Sequence, residues 1–174
     1  GWSAGRTSAQ HRRFYHRYAG FVRADALRRG KALPTGGAIV DGAGRTLGQH
    51  QGAHGFTVGQ HRGLGNLPPE QRWFVTAVDT ATQTVTVGAR ADAERTAFTI
   101  GEMHWLARPS DDDAAFSASV QVRYRGSASE AMVTVDGSRA RVQLREPTVI
   151  APGQSAVLYS RGRVLGGGWI ERSA

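Results

Sequence analysis

From Phe116 to Arg125 the chain reads Phe-Ser-Ala-Ser-Val-Gln-Val-Arg-Tyr-Arg, an apolar side chain at every second position. Only an extended strand sorts such a run onto two faces, because its side chains alternate with a period of two. Phe116, Ala118, Val120, Val122 and Tyr124 then point inward, while Gln121, Arg123 and Arg125 point outward. Ala131, Val133 and Val135 repeat the pattern up to a turn at Asp136-Gly137. Val142 and Leu144 alternate with Arg141, Gln143 and Arg145. Ala156 to Tyr159, a turn at Ser160-Arg161-Gly162, and Arg163 to Ile170 complete the series. Short strands with turns roughly every 8–12 residues build a barrel or sandwich.

The preceding segment reads as strands too. Ala38-Ile39-Val40 leads into Asp41-Gly42-Ala43-Gly44, a hairpin turn, and then Arg45-Thr46-Leu47. Gly55 to Val58 is a further extended segment. A glycine-rich loop follows, Gly59-Gln60-His61-Arg62-Gly63-Leu64-Gly65, closed off by Pro68 and Pro69. Trp73 to Val78 and Thr84 to Val87 form a second hairpin across Asp79 to Gln83. Gly48-Gln49-His50-Gln51-Gly52 echoes Gly59 to Gly63 and suggests two similar turns. Asp111-Asp112-Asp113 reads as a solvated loop.

Ahead of the strands, Ser8 to about Leu33 reads as a helix. Phe14, Tyr18 and Phe21 recur at helical spacing, and Gly30 and Pro34 end the run. The expected architecture is therefore all-β: two small antiparallel β-barrel domains, 36–95 and 96–174, preceded by a basic helical arm or linker, 1–35.

The net charge of +8 on 174 residues is unevenly placed. Residues 1–36 carry eight cations against Asp25 alone, a net +7, and the other 138 residues hold 14 basic and 13 acidic groups, a net +1. A basic arm on a nearly neutral body suits a polyanion such as RNA. Lys31 is the only lysine beside 21 arginines, a bias that genome composition alone also produces.

Several chemistries lack their residues. There is no cysteine, hence no disulfide, thiolate metal site or cysteine-based sulfur chemistry within the chain. No Walker-type loop, Ser-Gly-Gly-x-Asp-Ser loop or dinucleotide fingerprint occurs, so ATP binding is not expected. His50 and His54 have the spacing of a helical zinc pair, but Gly48, Gly52 and Gly55 interleave with them and argue against a helix. No carboxylate pair or nucleophile-base set appears. No metal, cofactor or catalytic residue is assigned. No apolar run approaches the ~18 residues of a membrane span, and no signal peptide is evident, so a cytoplasmic location is expected.

Gly37 to Asp41, Gly44 to Gly52 and Phe56 to Gly65 together resemble the central domain of bacterial tRNA-specific 2-thiouridylases, as do Phe74-Val75 to Asp79 and Val85-Thr86-Val87-Gly88. Val122-Arg123-Tyr124-Arg125, Glu146-Pro147, Ala151-Pro152-Gly153-Gln154-Ser155-Ala156-Val157 and Val164 to Ile170 are similar to that family's terminal barrel. The resemblance runs in order over about 36–172 and leaves 1–35 largely outside it. It implies two barrels that hold the anticodon arm of tRNA. An N-terminal domain of the family binds ATP and adenylates uridine 34, and two cysteines relay the sulfur. The resemblance places RNA contacts on Arg123, Tyr124 and Gln154. We add Gln60 and Arg62 of the glycine loop and Arg125 of the alternating strand. Neither the adenylating domain nor the second family cysteine, due near Arg17 or Tyr18, is present, and His61 replaces a usual arginine. The chain is expected to act as the RNA-gripping part of a transferase without catalysing anything alone, either as a fragment or as a stand-alone relative. The alternative is an interaction barrel that docks a separate adenylating domain or sulfur-carrier protein.

Overall fold

A computed structural model describes Arg28 and residues 36–108, 115–123 and 126–171. Of the helix expected over Ser8 to Leu33, Arg28 alone falls within this set, and Asp111 to Asp113, Tyr124 and Arg125 lie outside the described residues. The chain divides into two compact units between Gly88 and Ala89. Among the described residues no helix is long and apolar enough to cross a membrane.

The first unit holds four strands: β1 (Gly37–Val40), β2 (Thr46–His50), β3 (Phe74–Asp79) and β4 (Thr84–Gly88). Both expected hairpins form, β1 with β2 and β3 with β4. In the first turn the Asp41 carboxylate accepts from the Ala43 and Arg45 amides at 3.0 and 2.9 Å. These bonds hold the Asp41 carboxyl below its ordinary pKa. The sheet order is β2-β1-β4-β3, with β1 and β4 parallel. This corrects the expectation of a closed antiparallel barrel, because the described strands form an open, mixed sheet. The reason lies in the connection from β2 to β3. A parallel pair needs a long crossover, and residues 51–73 supply it. Ala53, Phe56, Leu64 and Leu67 from this crossover join Ile39, Val75, Val85 and Val87 in one apolar cluster.

Gly55 to Val58, expected to be extended, instead follows a single 3-10 turn at Ala53–Gly55. Pairing with β3 comes one step later, where Gly59 N–H donates to the Val75 carbonyl and Val75 N–H to the Gln60 carbonyl. The two echoing pentapeptides also part company, since Gly48 to His50 finish β2 while Gly59 to Gly63 stay in the loop.

The second unit is a closed six-stranded barrel in the order β10-β5-β8-β7-β6-β9. Its strands are β5 (Glu94–Trp105), β6 (Ala115–Gln121), β7 (Ser129–Asp136), β8 (Arg139–Val149), β9 (Ser155–Ser160) and β10 (Arg163–Ile170). The alternation read from the sequence is the one observed. Ala118, Val120, Val122, Ala131, Val133, Val142 and Leu144 are buried, while Arg141, Gln143 and Arg145 are exposed. With Phe98, Ile100, Leu158, Leu165 and Ile170 they fill the interior, and Trp105 and Phe116, edge to face with each other, pack against it. At ~25 cal/mol per Å2 of apolar surface removed from water, such a filled interior is the main force closing the sheet.

Candidate nucleic-acid interface

Strand direction decides which loops of the barrel share an end. β6 and β9 are antiparallel, with Ser119 opposite Tyr159, Val120 opposite Leu158 and Gln121 opposite Val157. Arg123 follows two residues beyond that last pair, at the end of the barrel where β9 begins with Ser155. Gln154 directly precedes Ser155, so Arg123 and Gln154 belong to one end of one barrel. The connection from β6 to β7 and the connection from β8 to β9 both open there.

Arg123 was expected within a strand reaching Arg125. The strand instead ends at Gln121, and Arg123 starts a tight turn in which Gly126 N–H donates to the Arg123 carbonyl at 3.1 Å. The Gln121 amide fixes the same turn by donating to the Gly126 carbonyl at 3.0 Å, and the Tyr159 hydroxyl donates to Gln121 Oε1 at 3.1 Å. The alternation still operates through the bend: Val122 is buried and Arg123 exposed. Gln154 is pinned by its backbone. Its N–H donates to the Ala151 carbonyl, its carbonyl accepts from Ile170 N–H, and Gly153 N–H reaches the Ile170 carbonyl. Gly153 adopts φ 81°, a left-handed conformation that glycine reaches without strain. Among the described residues neither the Gln154 amide nor the Arg123 guanidinium has a hydrogen-bond partner. A rigid frame thus presents an unengaged cation and an unengaged amide, one suited to a phosphate and the other to a base edge or sugar.

Gln60 and Arg62 belong to the first unit. Gln60 is committed to its own loop, because Thr57 N–H donates to its Oε1 at 3.2 Å and its Nε2 donates to the Arg62 carbonyl at 2.8 Å. Arg62 is exposed. His61 turns its ring toward Phe74, with centroids 5.4 Å apart, and the Arg72 guanidinium lies over the same Phe74 ring at 5.8 Å from its centroid. Burial, then the charges of Arg72 and Arg62, push the His61 pKa below its ordinary value. A cleft of about 270 Å3 runs from His61 past Leu64 and Pro68 to Arg72 and Trp73. Both ring nitrogens of His50 engage the backbone, at Gly52 N–H and the Gln83 carbonyl.

One residue at the barrel end escaped the sequence reading. Trp169 is 54% exposed and pairs with Ser155, the first residue of β9, so it stands at the same end of the barrel as Arg123. Its neighbours Leu165 and Ile170 are buried. A period of two measured back from Ile170 would have placed the indole outside.

Two matches define the class. Residues 30–89 match the tRNA methyl transferase PRC-barrel domain, and residues 95–170 match the aminomethyltransferase beta-barrel domain. The chain is thus a tandem of these two domain types. It belongs to the family of tRNA-specific 2-thiouridylases and corresponds to the C-terminal region of its members. It is 40% identical over 141 residues to tRNA-specific 2-thiouridylase MnmA of Trichormus variabilis, covering 80% of this chain and 40% of that protein. The MnmA of Synechococcus sp. is 41% identical over 140 residues, 78% of this chain and 38% of the relative. The MnmA of Acidithiobacillus ferrooxidans is 37% identical over 163 residues, 92% of this chain and 43% of the relative. The chain therefore spans about two-fifths of the length of these relatives. A match over 92% of the chain also extends the similarity into residues 1–35, beyond the span of the family-like motifs.

Proposed function

We propose that this chain is the tRNA-binding portion of a tRNA-uridine 2-sulfurtransferase, holding the anticodon arm while the wobble uridine is thiolated elsewhere. The observation that carries this reading is the meeting of Arg123 and Gln154 at one end of a closed barrel. Both side chains are unengaged among the described residues, and both come from turns fixed by backbone hydrogen bonds. Family membership and the net charge of +8 support it. Among the described residues the glycine loop does not fit ATP. The glycine loop leads into buried Leu64 and on to Pro68, not to the helix N-terminus that cradles phosphates in nucleotide sites. Adenylation and sulfur relay are accordingly assigned to protein outside this sequence, and the setting to the cytoplasm, where tRNA is modified.

The test is direct binding of the full chain to unmodified tRNA across a salt series. The expected result is weak binding whose log affinity falls linearly with log salt, since each neutralised phosphate releases counterions. Salt-insensitive binding, or none to any tRNA tried, would overturn the proposal.

A further inference from the structure

We infer that Trp169 is a base-stacking platform, and that the RNA site on the barrel therefore includes an unpaired nucleotide laid across the outer face of β10. This inference rests on the RNA-binding reading above and adds to it a residue and a ligand class.

Trp169 is the largest exposed aromatic among the described residues. An indole at 54% exposure on a strand has no share in the barrel core, which Ile170 and Leu165 fill from the same strand. The side chains that usually flank an outward residue on a sheet are missing here. Its β5 partner is Gly101, and two residues back on its own strand is Gly167. Gly167 is held by backbone, whereas Gly101 is covered by the flexible Glu171 side chain. A Cβ on Gly167 would lie 2.6 Å from the Ala156 carbonyl oxygen, and one on Gly101 would lie 2.4 Å from Glu171 Oε1. Beside the ring the strand therefore carries no side chain at Gly167, while the Glu171 side chain lies over Gly101, and the exposed indole face is left to a planar partner.

The charges around this surface point to the partner. On the β9 side stands Ser155, and beyond it β6 leads into the turn that begins at Arg123, so Trp169 and Arg123 belong to the same end of the barrel. On the β5 side the Glu171 carboxylate is held by Arg139 at 2.9 Å, and exposed Glu102 follows Gly101. An indole at the same barrel end as an unengaged guanidinium favours a ligand that carries both a flat ring and a negative group, its negative group turned to the Arg123 side. A nucleotide in single-stranded RNA has both, its base stacking on the indole and its phosphate meeting the arginine.

Binding of the full chain to unmodified tRNA, over a salt series, tests this with Trp169→Ala, Trp169→Phe and Arg123→Ala. Trp169→Ala should weaken binding by about 5- to 100-fold, the range for loss of one stacked base. Its salt slope should match that of the parent, because an indole displaces no counterion. Trp169→Phe should recover most of the lost affinity. Trp169 lies outside the core, so the variants are expected to keep the parent's circular dichroism and melting profile, and Trp169→Phe provides a reading should the alanine form melt early. Parent-like affinity of Trp169→Ala, with Arg123→Ala impaired, overturns the stacking role alone and leaves the exposed indole to a protein partner. Absence of RNA binding by the parent overturns the underlying reading together with this inference.

Discussion

His50 donates its Nε2–H to the backbone carbonyl of Gln83 at 3.0 Å, joining two positions 33 residues apart in the chain. The direction of the bond follows from the other ring nitrogen. Nδ1 receives the Gly52 N–H, so it must be the bare nitrogen, and the proton must sit on Nε2. The imidazole is therefore neutral and ties the end of β2 to the turn between β3 and β4. Gln83 adds to the same junction, since its Oε1 accepts from Ala53 N–H at 3.1 Å.

Stability of the first unit should consequently fall on mild acidification. Burial leads the causes that lower the His50 pKa from 6.5, and the same holds for His61. Above pH 6.5 both the folded and the unfolded chain hold these rings neutral, and the full stability is present. Below it the unfolded chain takes up protons that the folded chain refuses, so stability declines as pH drops. Thermal melts between pH 7.5 and 5 should show this decline, and a flat profile would contradict it. His50→Ala should flatten part of the slope. It should also cost about 1–3 kcal/mol at neutral pH, because Gly52 N–H and the Gln83 carbonyl are left unpaired.

Gly37 answers to the same turn. A Cβ at this position would fall 1.8 Å from the Gln83 carbonyl oxygen, inside any permissible contact. Gly37→Ala must therefore push the β3–β4 turn away from β1 and loosen the His50 bond with it. The expected loss is at least about 1–3 kcal/mol, the range for overpacking a filled site. Urea unfolding of the variant would check it, and an unchanged midpoint would show that the turn yields freely.

Gln60 offers a sharper separation of structure from binding. Its amide accepts from Thr57 N–H and donates to the Arg62 carbonyl, so both ends are needed. Gln60→Glu keeps the acceptor and loses the donor, setting a carboxylate against a carbonyl. The glycine loop should become more open, with faster amide hydrogen exchange confined to residues 57–65. Uniform exchange rates in parent and variant would mean that the loop is held by other bonds.

The second unit was largely legible because its signal is local. An alternation of two residues fixes which face Val120 or Arg141 takes, whatever the strands pair with, and the turns at Gly137 and Gly162 adopt the positive φ that their glycines allow. The first unit was less so. Nothing between Ile39 and Val85 announces that β1 and β4 run parallel, since that pairing depends on how residues 51–73 cross and pack. The bend at Arg123 was hidden for a similar reason: it is made by Gln121, Gly126 and Tyr159, and Tyr159 lies far along the chain. Trp169 could have been placed outside by counting, but its companionship with Arg123 needed the β9 pairing to both neighbours.

At the same barrel end Arg123 and Gln154 are expected to make different kinds of contact, and the two can be told apart. A guanidinium on a phosphate releases about one counterion, whereas a neutral amide on a base edge or sugar releases none. Arg123→Ala should therefore weaken tRNA binding at low salt and reduce the slope of log affinity against log salt by about one. Gln154→Ala should shift the whole line downward by about 0.5–1.5 kcal/mol, the worth of one hydrogen bond, and leave its slope alone. The double variant should lose less than the sum of the two if the groups hold adjacent parts of one nucleotide, and close to the sum if they hold separate ones. Equal slopes for parent and Arg123→Ala would mean that this arginine meets no phosphate, and the barrel end would then have to bind its partner by shape and hydrogen bonds alone.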